Sequence, residues 1–261
     1  MVPAAQLRAV IDAIHGFLGT DAEDPESWYR WEYDIYADHV AEPDGRRARP
    51  PHGPCGMVQM YHHASLWAIR QSPRVHAAFA DIYGTERLWV TSDRAHFKPP
   101  QRADKPAWSD AGPVHHGLHW DTDTRPAAWP VPYGVQGVVC LTDTPAERGA
   151  LRVVPGFHRQ LAHWTAGGGR MDPESWSVPE SALPPAVSVP AAAGDLVIWH
   201  SSLPHGPGSN ISDLPRYSQV SAARTIALRC IDGVLPLVIA LVIRYSDQVP
   251  PLSDYNNNEA Q

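Results

Sequence analysis

The chain has 261 residues, 43% of them hydrophobic, and a formal net charge of −7 with no long run of one sign. This suits one domain with a sizeable core and argues against a nucleic-acid partner, whose electrostatic footprint would be basic. Cys55, Cys140 and Cys230 are scattered and form no C-x-x-C pair, which excludes a disulfide framework or thiolate zinc site and makes a reducing cytoplasm the default location.

In chain order, residues 5 to 19 carry helical periodicity without the basic region and continuous apolar core of a signal peptide. Residues 24 to 54, rich in proline and charge, read as an irregular excursion. A second helical stretch, 63 to 82, lines up Leu66, Trp67, Ile69, Val75, Phe79 and Ile82, with a break at Pro73. From about Glu86 the pattern changes to short strands: "RLWVTSDRAHFK", "YGVQGVVCLTD", "GALRVVPGFH", "GDLVIWHSS" and "RYSQVSAAR". Residues 164 to 193 form a Gly/Pro/Ser-rich insertion, read as a surface loop. No helix alternates with the strands, which disfavours a doubly wound fold. The expected fold is mainly β with flanking helices, a jelly-roll or cupin-like double sheet. The expected layout is one domain: a helical part over about 1–85, a core over about 86–224 and an atypical tail over 225–261. Within the tail, "GVLPLVIALVI" (233–243) is too short for a standard membrane span and contains Pro236. A buried strand or helix is expected there, and no membrane partner; an anchor at 233–243 is the alternative.

The stretch "HHGLHWDTD" (115–123) holds the densest chemistry. On an extended segment His119 and Asp121, at i and i+2, share a face, with Trp120 on the other. One more histidine makes a two-His, one-carboxylate set with open positions, suited to iron. His158, His163, His200 and His205 are candidates, and His205 is favoured locally because it follows a strand and opens a Gly-Pro-Gly loop. Arg216 and Ser218, also i and i+2, make a guanidinium–hydroxyl clamp for a carboxylate. His115 and His116 read as pocket-mouth or surface residues, and Trp120, Trp199 and Trp89 as core. Trp129 and Trp164 stand in loops where they either line a substrate pocket or pack at the surface.

The ordered set "HWD", "ERGALRVVPGFH", "GDLVIWHSSLPHGPGSN" and "PRYS" resembles the phytanoyl-CoA dioxygenase family, a branch of the iron(II)- and 2-oxoglutarate-dependent oxygenases, over roughly residues 55 to 223. The resemblance implies a double-stranded β-helix. It implies Fe(II) on His119, Asp121 and His205, and the far carboxylate of 2-oxoglutarate on Arg216 with Ser218 assisting. Gln59 and Arg94 fall where family members place cosubstrate or pocket residues, and Gly149 and Gly156 match turn positions. Pro207 stands where some members carry a hydroxyl, and the tail after Ala223 departs from the family's polar ending. The implied reaction consumes O2, releases succinate and CO2, and hydroxylates an unactivated C–H bond of a small molecule. Asp121 occupies the place that related halogenases give to a small residue, so hydroxylation or another oxidation is expected, not halogenation. A jelly roll that binds metal and ligand without turnover is the alternative.

Overall fold

The computed structural model describes residues 2–29, 56–108, 117–121, 124, 134–171, 178–221, 223–225 and 241–243. His115, His116, Asp123, Trp129, Cys55, Cys230 and most of the expected excursion lie outside the described residues, as does most of the 233–243 segment.

Helix α1 (Ala4–Leu18) forms because Leu7, Val10, Ile11 and Ile14 recur at helical spacing and bury one stripe. It stops at Gly19, whose φ of 65° lets its N–H turn back onto the His15 carbonyl. The second helical stretch is two helices, α2 (Ala64–Arg70) and α3 (Pro73–Tyr83). Pro73 opens α3, where its missing N–H has no intrahelical acceptor to lose.

The helices pack on one face of a six-stranded antiparallel sheet. Its strands are β1 (Met57–Val58), β3 (Ala95–Lys98), β4 (Val135–Cys140), β7 (Leu196–His200), β9 (Arg216–Ser221) and β11 (Leu241–Ile243), in the order β1-β3-β9-β4-β7-β11. Val135, Val139, Leu141, Leu196, Ile198, Phe97 and Tyr217 meet the helices in one core cluster. The opposite face contributes Val138, Cys140, Val197 and Trp199 to a second core. There it meets a smaller sheet of β5 (Leu151–Val153), β6 (Val187–Val189) and β8 (His205–Pro207), ordered β6-β5-β8. The result is mainly β, a jelly-roll core flanked by helices.

Three elements depart from the sequence-based reading. "RLWVTSDRAHFK" is two strands in different sheets: β2 (Leu88–Val90) pairs with β10 (Ala223–Thr225), while β3 pairs with β9. Trp89 is accordingly 65% exposed and not core. The 164–193 insertion contains β6, held in register by β5. His205 does not open a loop; it begins β8, opposite Val153 of β5. In the tail, Leu241–Ile243 adds an edge strand against β7. Among the described residues no helix is long and apolar enough to cross a membrane.

Candidate metal centre and the cavity behind it

The segment 117–121 runs beside β8. His119 and His205 exchange both backbone hydrogen bonds, at 2.9 and 3.0 Å, in an isolated antiparallel bridge. Two residues directly opposite each other in such a bridge put their side chains on the same face, so the two imidazoles come together with ring centroids 4.7 Å apart. Asp121, two residues on, reaches back between them. Its Oδ1 lies 3.5 Å from His119 Nε2 and its Oδ2 3.2 Å from His205 Nε2.

Both rings are oriented from behind. His119 Nδ1 lies 3.0 Å from the Gly117 carbonyl and His205 Nδ1 lies 3.0 Å from that of Leu203. A carbonyl only accepts, so each Nδ1 carries the proton and the Nε2 atoms are the ones left to face Asp121. Ligand atoms of His119, Asp121 and His205 all lie within 4.8 Å of one another. Burial alone would raise the Asp121 carboxyl; hydrogen bonds from His119 and His205 and their charges outweigh it and hold the group well below the usual carboxylate range. For His119 burial pulls the pKa down, but Asp121 and the Gly117 carbonyl outweigh it and the net shift is upward. The site thus keeps an anion and two imidazoles converged on one point, a donor set that suits a divalent first-row metal.

The inner face of the large sheet forms the wall behind this point. Arg216 and Ser218 alternate with Tyr217, which turns the other way into the helix-side core. In register with them stand Lys98 opposite Arg216, and His96 and Cys140 on either side of Ser218. Arg216 is 4% exposed, and neither its Nε nor the Ser218 hydroxyl has a hydrogen-bond partner. Burial lowers the Arg216 pKa, and no carboxylate among the described residues offsets it. A buried guanidinium with an unsatisfied Nε beside an unsatisfied hydroxyl is a donor set that suits a carboxylate.

His96 is the residue the sequence reading missed. Burial, and then the charges of Arg216 and Arg94, depress its pKa to about 3 against the opposing pull of Asp121. Its ring therefore stays neutral within electrostatic reach of both the triad and Arg216, and it makes no hydrogen bond with the described residues. Its i−2 spacing from Lys98 puts the two on one face of β3, but nothing in the sequence marks that face as the inner one.

Gln59 and Arg94 each contact a residue close by in sequence. Gln59 follows β1 directly and accepts a hydrogen bond from the Tyr61 hydroxyl, while Arg94 Nε pairs with Asp93 at 3.0 Å. His158 and His200 form a separate pair, ring centroids 5.4 Å apart. Trp164 packs on Trp120 and Phe157, and Trp199 lies with its ring centroid 5.0 Å from that of His205. Gly149 and Gly156 adopt φ of 80° and 76°, as turn positions require.

A jelly roll with two histidines and a carboxylate converging between its sheets defines a class, that of the cupin-like proteins with a facial metal site. The family model described as Phytanoyl-CoA dioxygenase (PhyH) matches residues 22–218, and the chain belongs to that family. It is 26% identical over 184 residues to a Dictyostelium discoideum protein given the provisional name phytanoyl-CoA dioxygenase, covering 58% of this chain. The chain spans about half the length of that relative, 51%. Among solved structures, the epimerase SnoN in complex with Fe3+, alpha ketoglutarate and nogalamycin RO is 19% identical with a TM-score of 0.50, over 86% of this chain and 76% of that one. EvdMO1 is 24% identical with a TM-score of 0.52, over 86% of this chain and 44% of that one. At this identity these likenesses establish the shared fold.

Proposed function

We propose that the protein is an Fe(II)- and 2-oxoglutarate-dependent dioxygenase that hydroxylates an unactivated C–H bond of a small-molecule metabolite. The observation that carries this reading is the pairing of a preformed His119–Asp121–His205 set with a buried Arg216 that lacks a carboxylate among the described residues. His119, Asp121 and His205 hold the iron. Arg216 holds the distal carboxylate of 2-oxoglutarate through its fork of donors, and the Ser218 hydroxyl supplies one more. When bound, iron and its cosubstrate supply the oxidising power, using O2 and releasing succinate and CO2. Neutral His96 presents one donor and one acceptor to the same cavity without adding to the positive charge of Arg216 and Lys98. Trp199, Val138 and Val197 exclude water from the wall around the triad. Gln59 and Arg94, at the far end of β1 and β3, line the approach for the substrate.

Asp121 supports hydroxylation over halogenation, because it fills the ligand position a halide would need. The SnoN complex is that of an epimerase, so the shared fold alone does not choose among oxidations. No basic cluster suited to the phosphates of a CoA thioester is evident in the sequence, which favours a metabolite that is not CoA-linked. The helical part up to about residue 85 and the core to about 224 act as one oxygenase domain, working in the cytoplasm. A second reading, a jelly roll that binds metal and ligand without turnover, is favoured by Pro207 in a position where a hydroxyl contact is lost.

Oxygen uptake with stoichiometric succinate, measured with Fe(II), 2-oxoglutarate and a metabolite library, is the test. His119→Ala is expected to abolish both signals. Full activity in that variant would refute the assignment. Wild-type protein that binds both ligands yet never decarboxylates 2-oxoglutarate would establish the second reading.

A further inference from the structure

We propose that Trp120 is a positioning residue whose indole N–H locks the two ligand-bearing segments to each other before any metal arrives. The inference rests on the metal-site reading of His119, Asp121 and His205.

Among the described residues the ligand segment, 117–121, is tethered through its backbone at few points. Among the described residues its ties are the two hydrogen bonds of the His119–His205 bridge and one from the Val178 N–H to the Leu118 carbonyl, at 2.9 Å. One bridge fixes His119 against His205. It does not fix Asp121, which is two residues further along and 51% exposed on its side chain. Trp120 lies between the two ligands and, by strand alternation, projects to the opposite face. There it is fully buried.

Its indole N–H donates to the Ser202 carbonyl at 2.9 Å, a buried bond spanning 82 residues. Ser202 belongs to the turn that delivers His205. The next carbonyl along, that of Leu203, accepts from His205 Nδ1. Trp120 and His205 therefore hold consecutive carbonyls of one short turn, one from each side of the ligand pair. His200 Nδ1 braces the same turn, accepting the Ser202 N–H at 3.1 Å. Phe157 and Trp164 close on the indole at centroid distances of 5.9 and 5.5 Å and leave it little freedom to swing.

A phenylalanine would fill most of this space and keep the ring contacts. It would leave the Ser202 carbonyl without its donor and free the segment to pivot about its single bridge. Organising three ligands on metal arrival would then subtract from binding, as losing an outer-shell hydrogen bond does in other metal sites.

The test is a Co(II) titration followed by visible absorption, at a temperature where every variant is folded, on wild type, Trp120→Phe and Trp164→Phe. Trp164→Phe perturbs the same aromatic cluster without removing the N–H. Trp120→Phe is expected to weaken Co(II) by roughly tenfold or more, with Trp164→Phe within about twofold of wild type. Equal affinity in wild type and Trp120→Phe overturns the inference alone. Absence of Co(II) bands in wild type overturns the metal-site reading and the inference with it. Should Trp120→Phe not fold, the metal-free wild type decides: the Trp120 indole proton is expected to exchange far more slowly than that of exposed Trp89. Comparable exchange at the two positions overturns the preformed lock.

Discussion

Arg216 poses the sharpest question at the scale of a single residue. A buried cation without a partner destabilises the fold, because the protein interior solvates it less well than water does. Among the described residues no carboxylate offsets that penalty for Arg216, and on the proposed reading a bound dicarboxylate would relieve it. Replacing Arg216 with Met removes the charge and keeps the apolar stem. Arg216→Met is therefore expected to be no less stable than wild type without ligands, with a gain of up to about 4 kcal/mol and a correspondingly higher melting temperature. It is also expected to lose the rise in melting temperature that 2-oxoglutarate gives the metal-loaded wild type. Differential scanning calorimetry with and without the cosubstrate reads both effects, and a retained ligand-induced rise would remove Arg216 from the pocket. The sequence made Arg216 legible because its i+2 hydroxyl followed a strand start. His96 was not legible because nothing local states which face of β3 looks into the cavity. That face is decided by the pairing of β3 with β9, more than a hundred residues downstream.

At the scale of elements, the fit of the helices on the large sheet depends on one absent side chain. A Cβ at Gly137 of β4 would come within 2.9 Å of the Ser221 carbonyl and 3.1 Å of both Phe79 of α3 and Leu196 of β7. Strand propensity disfavours glycine there, yet the backbone contact with β9 cannot yield to a Cβ. Gly137→Ala is expected to destabilise the fold by about 1–3 kcal/mol, measured by urea unfolding. Co(II) affinity should be unchanged, because the clash lies on the helix side of the sheet, away from the triad. The helices themselves were readable, since α1 and α3 show their buried stripe at local spacing and end on Gly19 and Gly84. The short strands were readable only in part. Nothing in "TSDR" announces that β2 and β3 part company, because the break is set by two different partners, β10 and β9. β6 hides in a loop-like composition because a three-residue edge strand takes its conformation from its neighbour. His205 looked like a loop residue because the turn formers Gly206, Pro207 and Gly208 follow it directly. Pro207 is tolerated in β8 because that segment lies toward the rim of the small sheet, where a missing N–H does least harm.

For the whole molecule, the buried histidines decide how stability responds to acid. His200 is lowered to about 4, by burial first and then by the charge of His158, and His96 to about 3. An unfolded chain binds a proton at each near pH 6.5, so between that value and the folded pKa the unfolded state holds more protons than the folded one. Stability then rises with pH, and acidification from about 6.5 towards 4 weakens the metal-free fold. Asp121 adds to this only at lower pH: its folded pKa is depressed, so its contribution is present above the unfolded carboxylate value and is lost below it. His119 runs the other way. Its folded pKa is raised, so its pairing with Asp121 stabilises the metal-free protein fully below pH 6.5 and fades as pH climbs through the raised value. A metal reverses that last dependence, since it needs the His119 Nε2 lone pair and competes with the proton. Two quantities are thus expected to fall together on acidification. Metal-free stability falls on acidification, and the extra stability conferred by Zn(II) shrinks over the same range as His119 keeps its proton. His200→Asn preserves an acceptor for the Ser202 N–H while removing one titration. Urea unfolding at pH 7 and pH 5 should give it a smaller stability difference than wild type, with the Zn(II)-dependent part unaltered. An acid response identical to wild type would mean that His200 is not held neutral by its burial, and a Zn(II) increment independent of pH would mean that no histidine gives up a proton to the metal.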